Sequence, residues 1–337
     1  MRPVVSVVIP TFDRAGYLAR AIDSVVAQSF VDWELIVVDD GSTDETHDVI
    51  DRYAKRLGGR LVYLKQRNHG SSHARNAGIE ASAGQFVAFL DSDDEYLPTK
   101  LSRQLELFTA RPDLGLVYCD YAYVDLSGVR HGSAFDTKCA KARDVATESV
   151  GVKLSVCDDT LFDTLLEEYF ISTITGMIRR DVLTPAVRFA EQLAYAEEWL
   201  FYLMVVDSCR AGFVDEALCL HHFVQGSLAR SGADQNTVQL TSTLDAIEQA
   251  FPDLTSAQRG VVTEHKARSF RQVGYDAYRD ERFGDAARAF ALSFRSVPRL
   301  GVLAEAGDSL LRGMTGTKKR SKRTELDAAK REVDAVR

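Results

Sequence analysis

Cysteine pairs, glycine-rich loops, excess positive charge and long apolar runs are all scarce in this chain, and each scarcity removes a class of protein. The five cysteines, at positions 119, 139, 157, 209 and 219, are odd in number, scattered, and form no CxxC pair. That spacing fits neither a disulfide framework nor a zinc site, and reads as thiols in a reducing compartment. No apolar run approaches the ~20 residues a membrane span needs. Met1-Arg2-Pro3 leads straight into an apolar strand pattern, with no secretory leader, so the expectation is a soluble, cytoplasmic protein. Lys and Arg number 41 against 49 Asp and Glu, a net charge of −8, which argues against the basic face of a general nucleic-acid binder. The segment after the first apolar run, Pro10-Thr-Phe-Asp-Arg-Ala-Gly16, holds one glycine. A loop cradling a triphosphate needs more, and no P-loop occurs elsewhere.

What remains is the composition of an ordinary globular protein, 45% hydrophobic and 27% charged. At 337 residues it is long for one core, so a larger domain with a smaller one is expected. The most informative stretch is Phe86-Val-Ala-Phe-Leu-Asp-Ser-Asp-Asp94. Its apolar half reads as a strand buried on both faces of a parallel sheet. It ends on three carboxylates, which repel one another and are tolerated together chiefly beside a cation or a positive partner. A solvated turn feeding a helix is the alternative. Two other apolar strands also end polar: Val4–Ile9 runs into Pro10 and Thr11, and Glu34–Val38 into Asp39-Asp40-Gly41-Ser42. Ligands of open α/β sheets sit outside the carboxyl ends of the strands, so the three ends are expected to converge on one site. Part of the second has a purely structural reading, since Ser42-Thr-Asp-Glu45 fits a helix capping box.

Strands and helices alternate along the first half. Helical spacing over Ala15–Gln28 precedes the strand Glu34–Val38, and a helix from Thr43 to about Leu57 precedes a short strand Leu61–Leu64. A helix over Ser72–Ala83 leads to the strand Phe86–Leu90, then comes a helix over Pro98–Ala110 and a strand over Leu114–Cys119. This rhythm implies a parallel sheet with right-handed crossovers. Residues 125–165 show little periodicity. Ile171–Ile178 reads as a strand and Glu197–Ser208 as an apolar helix. From about residue 236 the pattern is helical, with Lys266–Arg279 and Gly284–Ser296 resembling one tetratricopeptide hairpin; a single unit of that kind cannot bury its own face. The tail carries Lys318-Lys-Arg-Ser-Lys-Arg323. It reads as a solvated charged tail, or as a peripheral contact with an anionic membrane surface at the inner face of the membrane.

Taken in order, Val5-Ser-Val-Val-Ile-Pro-Thr11, Trp33-Glu-Leu-Ile-Val-Val-Asp-Asp-Gly-Ser-Thr-Asp44, Asn68-His-Gly-Ser-Ser-His-Ala-Arg-Asn-Ala-Gly78 and Phe89-Leu-Asp-Ser-Asp-Asp94 resemble the family 2 glycosyltransferases. The resemblance covers about residues 3–230. It implies an α/β fold of GT-A (Rossmann-like) type, a mostly parallel sheet with helices on both faces, here followed by an all-helical C-terminal subdomain. The expected divisions are 1–230 for the transferase domain, 231–315 for the helical subdomain with its one hairpin, and 316–337 for the tail.

The resemblance also implies roles. Thr11 and Asp39 would line the pocket for a uracil or thymine base, with Pro10, Asp40 and Ser92 counted beside them. Asp39 suits an imide N–H because a carboxylate only accepts. Arg75 would sit near the base or diphosphate, unless it is a helix-surface arginine. Asp91 would hold the ribose, Asp93 a divalent Mn²⁺ or Mg²⁺, and Asp94 would assist through water. An inverting reaction also needs a base, for which Glu197-Glu198-Trp199 matches the family's acidic pair. Glu198 takes the base position, a glutamate where the family usually has aspartate, and Glu197 is its understudy. At a helix start these acids are equally a charged first turn. His221 or His222 would approach the metal, and the alignment does not choose between them. The implied reaction moves a sugar from a UDP-sugar, or a dTDP-sugar, to a hydroxyl of a glycan, lipid-linked or other acceptor, without nucleic acid. The competing reading is a non-catalytic nucleotide-sugar-binding scaffold whose helical domain binds a partner.

Overall fold

A computed structural model describes residues 2–137, 139–224 and 233–315 of the chain. Two compact units divide it, Met1–Val262 and Thr263–Arg337. In the first unit the strands are β1 (Val5–Thr11), β2 (Trp33–Asp39), β3 (Leu61–Lys65), β4 (Phe86–Phe89), β5 (Glu95–Tyr96), β6 (Leu114–Val124), β7 (Arg130–Ser133), β8 (Ala146–Gly151), β9 (Leu154–Cys157), β10 (Met177–Arg179) and β11 (Arg210–His222). The helices between them are α1 (Ala15–Val26), α2 (Thr46–Leu57), α3 (Ser71–Ala81), α4 (Lys100–Ala110), the short α5 (Ala134–Thr137), α6 (Leu161–Glu167) and α7 (Glu197–Ser208). Then follow α8 (Ala233–Ala250), α9 (Ser256–Arg279), α10 (Phe283–Ser296) and α11 (Leu300–Thr315). Among the described residues no helix is long and apolar enough to cross a membrane.

The described strands form one sheet in the order β3-β2-β1-β4-β10-β6-β11-β9-β8, with β5 paired to β11 and β7 to β6. Every residue of β1 and β4 is buried, as two-sided burial in a mostly parallel sheet requires. β2 and β4 both run parallel to β1, with Thr11 opposite Asp39. Their polar ends therefore leave the same edge of the sheet. Helix α3 crosses close over β1 at Gly78, where an added Cβ would stand 2.2 Å from Val8 Cγ1. Gly78→Ala is thus expected to destabilise the domain by ~1–3 kcal/mol through overpacking, visible as a lower midpoint of thermal unfolding with unchanged chain length and composition elsewhere.

The sheet is mixed and mostly parallel, as expected, with β10 inserted antiparallel between β4 and β6. Other expectations need correction. The run Ile171–Ile178 is a strand only from Met177. Its first half turns instead, with Thr175 N and Oγ1 both donating to Ser172 O at 2.9 and 2.7 Å, so threonine side chains compete with the ladder. The capping box at Ser42–Glu45 does not form. Instead Asp44 Oδ1 accepts from Thr46 N and Oγ1 at the start of α2, while Ser42 Oγ accepts from Asp13 N. The region 125–165 holds β7, α5, β8, β9 and α6. β8, of sequence Ala-Thr-Glu-Ser-Val-Gly, is half-buried at best, so its edge position carries no apolar signal.

The largest element missed from sequence is β11, 13 residues long, which pairs with β5, β6 and β9. The division between units also lies beyond residue 230, because α8 buries Leu244 and Ile247 in the core of the first unit. In the second unit Ala277, Ala286, Phe290, Val302 and Ala306 make a small separate core. There the two helices of the expected hairpin, α9 and α10, are joined by a third, α11.

Candidate functional site

The converging strand ends are braced before any ligand is considered. Asp13 holds a left-handed backbone (φ 48°), which a non-glycine residue adopts only when its surroundings fix it. Its carboxylate accepts from Thr43 N at 2.7 Å, tying the loop after β1 to the loop after β2. Asp39 is fully buried and accepts from Ser42 N at 2.7 Å and from the Tyr63 hydroxyl at 2.8 Å, with Lys65 Nζ 3.8 Å away. Asp40 serves the next loop: its oxygens accept from Gln66 Nε2, His69 N and Gly70 N at 2.7–2.9 Å. The paired aspartates thus divide their labour, one facing the end of β3 and one positioning the turn into α3. Pro10 lies inside β1 opposite Val38. Beside it, Thr11 Oγ1 is buried and has no hydrogen-bond partner.

Helix α3 brings the central cation. Arg75 is buried, not a surface arginine; its Nη2 donates to Asp91 Oδ1 at 2.8 Å and its Nη1 to Glu197 Oε1 at 2.9 Å. Burial opposes its charge, but the carboxylates of Asp91, Glu197 and Glu198 together raise its pKa and hold it protonated. Its Nε is also buried without a partner. Ser71 Oγ donates to Glu197 Oε1 at 3.2 Å. The adjacent Asn76, whose role was not anticipated, donates to Phe189 O and Glu191 Oε1 and accepts from Phe189 N, all within 3.0 Å. One turn of α3 therefore fixes both the acidic strand end and the segment that leads to Glu197. The signal in the sequence was the Ala-Arg-Asn string itself, but nothing local says what an asparagine will clamp.

The acidic turn is locked from the other side by β11. Asp94 is buried; its Oδ1 accepts from His222 N at 2.8 Å and its Oδ2 pairs with His221 Nδ1 at 3.1 Å. Burial raises the pKa of Asp94 while His221 acts against it. In return, burial disfavours charge on His221, but Asp94 outweighs it and pushes the imidazole up to about 9. His222 turns its ring to Glu95, Nε2 to Oε1 at 2.7 Å. The two histidines thus hold Asp94 and Glu95. Ser92 is buried in the turn. Asp93 gives only its backbone carbonyl to Arg20, at 2.6 Å. Burial, then repulsion from Asp94 and Asp91, push its carboxyl up to about 6.

Those carboxylates fit a hard divalent cation in kind and in charge, since a cation would relieve the repulsion that, after burial, raises the Asp93 carboxyl. Among the described residues no group of three or more His, Cys, Asp or Glu side chains is placed to hold a metal ion. An ion held here through one or two carboxylates would complete its shell with substrate oxygens, as Mg²⁺-type ions commonly do.

Opposite the turn stands the start of α7. Ala196 takes a left-handed conformation (φ 54°) immediately before Glu197 and Glu198, the kind of strained residue that clusters at functional sites. α7 is anchored by Trp199 Nε1 donating to Leu165 O at 2.7 Å and by Phe201 stacked on Phe189, centroids 3.9 Å apart. The two glutamates differ sharply. Glu197 is engaged by Arg75 and Ser71. Glu198 is half-buried beside the Tyr169 phenol, and burial, then Glu197, push its carboxyl up to about 8 although Arg75 pulls it down. The helix N-terminus favours carboxylate, but here desolvation wins.

Residues 6–162 match the description Glycosyl transferase family 2. The Bacillus subtilis protein TuaG, a glycosyltransferase named for teichuronic acid biosynthesis, is 31% identical over 239 residues, 68% of this chain and 82% of that protein. An uncharacterized glycosyltransferase of Nostoc sp. is 42% identical over 114 residues, 34% of this chain; the match spans only 35% of its own length. Among solved structures, S. aureus TarS 1–349 in complex with UDP-GlcNAc aligns with a TM-score of 0.65 at 20% identity, covering 94% of this chain and 93% of that one. A mannosyltransferase of Pyrobaculum calidifontis in complex with GDP-Man and Mn²⁺ aligns at 0.55 with 16% identity, over 93% and 81%. At these identities the likenesses bear on the fold alone.

Proposed function

The chain belongs to glycosyltransferase family 2, and from that premise we propose that it is an inverting, metal-dependent enzyme transferring a sugar from UDP-sugar, or dTDP-sugar, to a hydroxyl acceptor. The observation that carries the reading is the pair of unlike glutamates at the start of α7: Glu197 ion-paired through Arg75 to Asp91, Glu198 protonation-competent near neutral pH. A general base works best with a pKa near the operating pH. Glu198 would take the acceptor hydroxyl proton as that oxygen bonds to the anomeric carbon, while the carbon's bond to the diphosphate breaks and the nucleoside diphosphate leaves. Attack and departure on opposite faces invert the centre.

Thr11 and Asp39, with Pro10, would border the base, and Asp91 with Ser92 the ribose. The partnerless Thr11 Oγ1 and Arg75 Nε supply unmet hydrogen-bonding capacity for a polar ligand. Asp93, with Asp94 behind it, would hold Mn²⁺ or Mg²⁺, which when bound offsets charge on the departing diphosphate. The names of TuaG and of the UDP-GlcNAc complex of TarS support a UDP-sugar donor and an acceptor in surface polysaccharide, glycolipid or glycoconjugate synthesis, drawing its donor from the cytoplasm.

Calorimetric titration with UDP, dTDP and GDP, each with Mn²⁺ and with a chelator, tests the donor site. Binding of UDP or dTDP that depends on Mn²⁺ is expected. Absence of binding to all three would remove the nucleotide site and return the chain to the reading of a partner-binding scaffold.

A further inference from the structure

Glu198 has a second neighbour whose chemistry is unspent. Tyr169 lies two residues beyond the end of α6, and its position is set on both sides. Trp199 Nε1 donates to Leu165 O at 2.7 Å, tying α6 to α7. Phe170 is buried against Tyr118 and Phe135, with ring centroids 5.9 and 6.1 Å away. The Tyr169 ring itself lies 6.2 Å from that of Trp199, centroid to centroid. Yet its hydroxyl is buried and has no hydrogen-bond partner among the described residues. A buried hydroxyl in that state is costly unless some condition of the protein supplies an acceptor.

The acid that acts on this hydroxyl is Glu198. Burial, then the Glu198 charge, raise the Tyr169 pKa well above the ordinary phenol range, so the phenol keeps its proton and can donate it. Two more phenols feel the same carboxylate. Tyr202 does so after burial and Arg75, but its hydroxyl already donates to Thr173 O at 3.3 Å. Tyr195 does so after burial, and is half-buried. Of the three, only the Tyr169 hydroxyl is both buried and without a partner. The charged groups that face Glu198 from other directions are already engaged with one another: after burial, Glu197 and Asp91 raise its pKa, and Arg75, paired to both, lowers it.

We propose that Tyr169 is a positioning residue for the general base: when Glu198 ionises, the phenol O–H donates to one carboxylate oxygen and leaves the other for the acceptor hydroxyl. A charge-assisted hydrogen bond made to the ionised form favours that form. The phenol thus opposes the desolvation that disfavours the active state of Glu198, and it loses no proton in doing so. This inference rests on Glu198 being the base.

The test is the titration of Glu198 in the ligand-free protein. It is read as loss of a protonated-carboxyl band in difference infrared spectra, assigned by the absence of that band in Glu198→Gln. Tyr169→Phe keeps the ring beside Trp199 and removes only the hydroxyl. It is expected to melt no lower than wild type and to keep Mn²⁺-dependent UDP binding. Its Glu198 titration should move upward by about one pH unit. At pH 7 its kcat/KM should fall about tenfold, a deficit that shrinks as pH rises past the new midpoint. Wild-type turnover in Glu198→Gln overturns the base and this inference together. An inactive Glu198→Gln beside an unmoved titration in Tyr169→Phe overturns this inference alone. So does a lower melting midpoint with the titration in place, which would make the phenol a packing group, or a raised acceptor KM with the titration in place, which would give it to the acceptor.

Discussion

Replacing Glu198 by glutamine is expected to lower turnover by ~10²–10⁴, the usual weight of a positioned general base, while leaving binding of nucleoside diphosphate intact. The same carboxyl sets the pH profile. Because it is pushed up to about 8, the active, deprotonated form grows as pH rises. The wild-type kcat/KM of the free enzyme should therefore climb about tenfold per pH unit below that value and level off above it. The glutamine variant should show a flat, low profile over the same range. Glu198→Gln with full activity, or a wild-type profile already flat at pH 6, would remove Glu198 from the mechanism. Glu197→Gln separates the two roles. It leaves Arg75 with one hydrogen-bonded carboxylate partner, so its first effect is on the geometry between the acidic turn and α7. The pH dependence set by Glu198 should survive, displaced to lower pH because the Glu197 charge no longer raises it.

Asp93→Ala is the second large effect: Mn²⁺-dependent nucleotide binding and turnover are expected to disappear, with binding reduced to a metal-independent remainder. A stability measurement guards this result against simple unfolding. The Asp93 carboxyl is raised from 3.8 to about 6 by burial and by Asp94 and Asp91. The folded protein thus retains a proton that the unfolded chain gives up near 3.8, and the stability of that protonated form is lost as pH rises to about 6. At pH 8 the ligand-free protein carries the cost of the unpaired charge. Asp93→Asn removes it, so this variant should melt no lower than wild type at pH 8, yet gain nothing from UDP with Mn²⁺. The wild type should gain thermal stability from that combination by mass action. A wild type unaffected by UDP with Mn²⁺, or an Asp93→Asn variant stabilised by it, would detach Asp93 from the metal.

Both predictions pass through Arg75. It lies on α3 between a strand end and a helix start more than a hundred residues apart in sequence, and touches an acid from each. A buried arginine with two carboxylates fixes the distance between the acidic turn and the start of α7. Asn76 adds the backbone of residue 189 to the same frame.

The sequence by itself determined the fold class and the convergence of the polar strand ends. Apolar strands buried on both faces must lie inside a sheet, and their polar ends, Thr11, Asp39 and Asp91, must leave it at a common edge when the strands run parallel; β2, β1 and β4 do so. The helix Glu197–Ser208 was legible to the residue, because its apolar content and acidic first turn are local signals. What only the tertiary structure decided is what each polar group faces. Asp39 and Asp40 are neighbours in the chain with different partners, and nothing local separates them. His221 and His222 were equal candidates until β11, a strand with little alternation to announce it, paired with β5 and turned one to Asp94 and the other to Glu95. Glu197 and Glu198 have the same chemistry in sequence. Only an arginine arriving from α3 makes the first an ion-pair partner and leaves the second a desolvated carboxyl near pH 8. Periodicity and turn chemistry act over a few residues and can be read from one strand of text, whereas burial and charge pairing depend on groups that folding alone brings together.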